Sequence, residues 1–162
     1  MPLSTLAASA DLIAALGVIA SLLFLATELR RSNRANRQAN WRQLLDSYSA
    51  FKAVTNDLAY AEFLSRARQD YHALSAGEKL SFGHYQEQGI HVMSNFYKHD
   101  TDVPEEVEGL IAAIDAVMLD HLDNPGARAW LAESRIRGRL RRATYAKIDA
   151  LLARGGRAPA SP

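Results

Sequence analysis

The sequence predicts an all-α fold: an N-terminal transmembrane helix that continues into a small cytoplasmic helical bundle. Three observations carry this. Residues 12–27 contain no charged side chain, and arginine recurs directly after them. No proline or glycine interrupts residues 18–76. Beyond residue 40 the apolar residues return at three- and four-residue spacing, and no useful length alternates with period two.

Composition sets the outer bounds. A chain of 162 residues that is 48% apolar and 23% charged suits one compact domain plus an anchor, and excludes wholesale disorder. The absence of cysteine excludes disulfides, thiolate metal sites and a thiol nucleophile. Hydrolase elbows, phosphate loops, dinucleotide fingerprints and zincin motifs are missing, and none of the nine glycines is arranged to cradle a phosphate. Net charge is only +1, yet it is uneven. Residues 99–124 carry eight acids and no Lys or Arg, whereas residues 134–157 carry eight bases against Asp149 alone.

The first element is the span. Residues 12–29, from Leu12 through Gly17, Ser21 and Phe24 to Leu29, reach about 27 Å at about 1.5 Å per residue, close to a hydrocarbon core of about 30 Å. Glu28 near the boundary can snorkel outward. A cleavable signal would place basic charge before the run, and here only the amino terminus precedes it. Arg30, Arg31, Arg34, Arg37 and Arg42 all follow the run, while the leader carries Asp11 alone. The positive-inside rule then puts the N-terminus outside and the rest in the cytoplasm, as expected of a single-pass protein in a bacterial inner (cytoplasmic) membrane. The competing reading is a buried helix of a soluble bundle. Such a helix usually keeps one polar stripe, and this run is apolar all round. Ala14, Gly17 and Ser21 share a face with Ala10, so self-association is one expected use of the span beside contact with membrane lipid.

The remaining elements follow in order. A helical stalk leaves the span and carries Trp41, Leu44, Leu45, Tyr48, Phe51 and Val54 at helical spacing into the core. The "TND" at 55–57 breaks it and caps a short helix through Tyr71, with Leu58, Phe63 and Leu64 inward. "SAGE" at 75–78 has capping-box spacing, Ser75 taking exposed amides and Glu78 reaching back. The helix it opens runs to about Lys98, with Phe82, Tyr85, Val92, Met93 and Phe96 facing in. Pro104 and its neighbouring acids start the next, with Val107, Leu110, Ile111, Ile114, Val117, Met118 and Leu122 as its stripe. Asn124 caps Pro125, and a last helix carries Ile136, Leu140, Ile148, Leu151 and Leu152. The domains are thus an anchor at 1–29, a stalk and bundle at 30–154, and a frayed tail at 155–162.

The stretch "LFLATELRRSNRANRQANW" contains L-R-x-S-N-R-A after an apolar run. It resembles a widespread group of uncharacterised bacterial proteins with one N-terminal span and a cytoplasmic helical domain. "NPGARAWLAE" at 124–133 is similar to a PG-x-R-x-W element late in the same group. The resemblance implies the same topology. It implies no chemistry, and the arginine-rich C-terminal part departs from the group.

Two constellations remain. The 78–98 helix carries His84, Glu87, Gln88, His91 and Asn95 on a polar face, with His99 just beyond. His and carboxylate at these spacings make His84, Glu87 and His91 candidate metal ligands, with Glu62 and His121 as distant contributors. The di-iron pattern needs Glu-x-x-His, and "EQGIH" is one residue too long. The plainer reading is a solvated face with ordinary histidines and no cofactor. The second constellation is a basic surface helix with Arg135, Arg139 and Arg142 on one face. Its arginines either pair inside the bundle with Asp115, Asp120 or Glu108, or lie on anionic lipid. Nucleic acid is a poorer partner, because no aromatic residues interleave with the arginines to stack bases. The expected function is a membrane-anchored, non-catalytic interaction or accessory module facing the cytoplasm. The alternative is a ligand- or metal-binding helical sensor or enzyme using the His84/Glu87/His91 face.

Overall fold

A computed structural model describes residues 3–99 and 109–155, and the side chains from Ala14 onward except that of Ala15. Its described residues form only helices and turns. In order these are α1 (Leu3–Ala53), a 3-10 turn (Val54–Asn56), α2 (Leu58–Gln69), α3 (Ala76–Lys98), α4 (Leu110–Leu122), α5 (Pro125–Ile136) and α6 (Arg142–Arg154). The chain divides after Trp41 into two units.

In the first unit, every described side chain from Leu16 to Ala39 is exposed. The hydroxyls in its apolar part are satisfied within the helix: Ser21 Oγ donates to the Gly17 carbonyl at 2.8 Å and Thr27 Oγ1 to that of Phe24 at 2.7 Å. Among the described residues, no helix is long and apolar enough to cross a membrane. The expected span begins at Leu12, and the side chains of Leu12, Ile13 and Ala15 lie outside the described ones.

The second unit is held by a continuous apolar core. Leu44 and Phe51 enter it from the end of α1, Leu64 and Ala67 from α2, and Phe82, Ile90, Met93 and Phe96 from α3. Ile114, Met118 and Leu122 of α4, Trp130 and Leu131 of α5, and Ile148, Leu151 and Leu152 of α6 complete it. The helix starts follow local chemistry. Asp57 caps α2 by accepting from the Tyr60 amide at 3.0 Å. The capping box forms in full, Ser75 Oγ accepting from the Glu78 amide and Glu78 accepting from the Ser75 amide at 2.9 Å. Asn124 accepts from the Ala127 amide at 2.9 Å, with Pro125 in the first turn of α5. Gly126 follows because α5 starts hard against α2: a Cβ there would fall 1.8 Å from the Ala67 carbonyl oxygen.

Several expectations need correction. Leu58 and Leu45 stay exposed, as does Ile136 at 76%. Pro104, Val107 and Glu108 lie outside the described residues. The single basic helix does not form. Arg135 sits in α5, Arg139 in the following loop and Arg142 at the start of α6, so they share no helical face. The cause is Gly138, which adopts φ +64° and closes α5 with paired bonds. The Arg139 amide donates to the Ser134 carbonyl at 3.1 Å, and the Gly138 amide to that of Arg135 at 3.2 Å. This is a Schellman stop, which only a residue at ease in the left-handed region makes without strain.

Candidate functional site

The polar face of α3 is where the sequence pointed first. His84, Glu87, Gln88, His91 and Asn95 do line one shallow groove together with Ser47 of α1. His84 and His91 are exposed. Glu87 is already engaged: its carboxylate accepts from Arg139 at 2.8 Å. Among the described residues, no group of three His, Cys, Asp or Glu side chains is placed to hold a metal ion.

Of the three arginines, Arg135 and Arg139 pair within the bundle, and neither does so with Asp115 or Asp120. Arg135 makes a two-pronged pair with Asp149, at 2.7 and 3.1 Å, and lies 4.9 Å from the centre of the Tyr145 ring. Arg139 reaches Glu87 on α3. Asp115 takes Arg154 at 3.1 Å and the Tyr97 hydroxyl at 2.6 Å, while Asp120 takes Arg68. Arg142 is exposed at the start of α6. The Tyr145 hydroxyl ties down the connection, accepting from the Leu140 amide at 3.2 Å and lying 3.3 Å from Ser134 Oγ.

One cleft of about 380 Å³ was not foreseen. It is lined by Tyr71, Ala76, Lys79, Leu80, Trp130, Glu133, Ser134, Arg137 and Arg139. Local structure places each wall. Asp70 Oδ1 accepts from the His72 and Ala73 amides, turning the chain so that Tyr71 enters the core. The Ser75 cap starts α3 and so sets Lys79 and Leu80 on its first turns. The Gly138 stop sends Arg139 back towards α3, where its Nη1 would meet a Cβ on Gly83 at 3.7 Å and the Trp130 Nε1 would meet it at 3.0 Å. Glu133 accepts from the Tyr71 hydroxyl and pairs with Arg137 one helical turn on. Burial, then the Glu133 hydrogen bond and charge, push the Tyr71 hydroxyl up to about 12, so it stays a donor near neutrality. The Lys79 ammonium lies 5.4 Å from the centre of the Tyr71 ring. The aromatic pair and the basic residues around "RIRGR" were the available signals. They are far apart in sequence, and only the fold brings them together.

A second unforeseen feature is the polar pair Gln86 and His121 in the core. Both are buried, and the His121 Nε2 lies 3.4 Å from the Gln86 carbonyl oxygen. Burial holds the imidazole down at about 4, with the Gln86 contact opposing, so it is neutral near pH 7. Phe51 and Tyr85 pack around the ring at centroid separations of 5.5 and 5.2 Å.

Comparison of the chain with protein-family models, curated proteins and solved structures gives no match.

Proposed function

We propose that this chain is a membrane-anchored, non-catalytic helical interaction or accessory module, held at the bacterial inner membrane by residues 12–29 and facing the cytoplasm. One observation carries the reading. Leu16, Val18, Ile19, Leu22, Leu23, Phe24, Leu25 and Leu29 are each more than half exposed, and their positions are distributed right around α1. Water-soluble monomers rarely leave so much contiguous apolar surface bare, and an apolar helix without a polar stripe calls for an apolar solvent on every side. The basic residues Arg30, Arg31, Arg34 and Arg37 support the topology, because they lie only on the C-terminal side of the run. Membrane lipid is the main partner, and Ala14, Gly17 and Ser21 offer a face for a second span. The metal-sensor reading of His84, Glu87 and His91 is less well supported, since a metal would first have to take Glu87 from Arg139.

The test is fractionation combined with reporter fusions. The expected protein resists carbonate washing, and a phosphatase fused to its C-terminus is inactive. Release by carbonate, or an active C-terminal phosphatase, would overturn the anchor or its orientation respectively.

A further inference from the structure

We propose that the cleft lined by Lys79, Leu80, Arg137 and Arg139 is a binding site for a small monocarboxylate with an apolar body. The inference is independent of the membrane reading and rests on shape, charge and lining together.

A volume of about 380 Å³ is at the small-ligand end of the range in which proteins bind organic molecules. Its lining divides into two chemistries. Trp130 and Tyr71 touch the cleft but are buried in the core, whereas Leu80 is 55% exposed, so an apolar body placed against it removes aliphatic surface from water. The other wall is cationic. Lys79, Arg137 and Arg139 face one lining carboxylate, Glu133. With Glu87, which holds Arg139, one positive charge remains in excess. One unit of excess charge matches a monoanion better than a phosphate dianion.

The donors suit a carboxylate. Glu133 occupies part of the Arg137 fork, and a guanidinium has five N–H groups in all, so a second carboxylate can share it. Lys79 supplies an ammonium from the start of α3, 5.4 Å from the centre of the Tyr71 ring. Tyr71 is committed to Glu133 and fixes that carboxylate against the protein, which keeps it from swinging across the cleft. The chemistry therefore selects a planar, singly charged acid with an apolar ring or short chain. A neutral amide of the same shape loses the charge interaction, and an amine meets repulsion.

The experiment is ligand-observed fluorine NMR on the full chain in a nonionic detergent, with 4-fluorophenylacetate as probe. Its amide and 4-fluorobenzylamine serve as controls, and detergent alone as blank. The expected result is saturable broadening of the acid, with the amide at least tenfold weaker and the amine unaffected. Lys79→Gln is expected to weaken the acid about tenfold and leave the amide unchanged. Arg137→Gln, at a largely exposed side chain, is a second variant should the first lower the melting temperature. Equal binding of acid and amide, no saturable binding beyond the detergent blank, or unchanged acid binding in both folded variants overturns the proposal.

Discussion

His121 occupies the space that Gly89 leaves by having no side chain. A Cβ on Gly89 would lie 2.4 Å from His121 Nε2 and 2.9 Å from Phe51 Cζ, so α3 and α4 meet at this point through a ring against bare backbone. The relationship explains a glycine in mid-helix, where it otherwise costs about 1 kcal/mol relative to alanine.

Gly89→Ala is expected to destabilise the bundle in spite of its better helix propensity. Overpacking a filled core typically costs about 1–3 kcal/mol, more than the propensity gain. Urea denaturation checks this, and a variant as stable as the parent would mean that the ring moves aside freely. Gly77→Ala is the control, since nothing lies within 4 Å of a Cβ there.

Gly126→Ala should be the harsher change. Its Cβ would meet the Ala67 carbonyl oxygen at 1.8 Å and the Arg68 Cα at 3.0 Å, and backbone atoms cannot rotate away as a side chain can. The expected loss exceeds about 3 kcal/mol, in the range reserved for a few severe mechanisms. A thermal melt of the full chain showing a shift of only a few degrees would contradict the α2–α5 packing described above.

The buried imidazole makes stability depend on pH. Its folded value is about 4, below the ordinary 6.5, so the unfolded chain binds the extra proton between these limits. Stability is therefore full above about pH 6.5 and falls as the pH drops towards 4, by up to about 3 kcal/mol from this group. The groups facing the ring include Arg68, which reinforces the shift, and Asp120, which opposes it. His121→Phe should flatten the profile across that window, measured by denaturation midpoints from pH 4 to 7. A slope unchanged in the variant would assign the effect elsewhere.

Ser75→Ala removes one half of the capping box and is expected to cost about 1 kcal/mol. Because Ser75 sets the register of α3 at its start, amide exchange should quicken first in residues 76–79. Uniform acceleration throughout the helix would contradict a local role.

Arg135 and Asp149 should be coupled more strongly than a typical surface pair. The contact is two-pronged, and both side chains are less than a third exposed. A double-mutant cycle with Arg135→Gln and Asp149→Asn is expected to return about 1 kcal/mol, at the upper end for such pairs. A coupling near zero would show that solvent screens the pair fully.

The sequence by itself determined the all-α class and the starts of α2, α3 and α5. Asp57, Ser75 with Glu78, and Asn124 with Pro125 were legible because a cap is satisfied within three or four residues of itself. The glycine stop at Gly138 was equally local, and "RIRGR" contained it, but the run of arginines on either side suggested a continuous face. What only the tertiary structure decided are the contacts between residues distant in the chain. Arg139 and Glu87 are 52 positions apart, and nothing in the local pattern marks them as partners. Periodicity likewise assigned Leu58 and Ile136 to the core, but which apolar side chains are covered depends on where neighbouring helices lie. The cleft around Trp130 and the His121–Gly89 contact belong to the same class. Both arise from close packing between helices, set by the volumes of facing side chains rather than by the order of residues along either one.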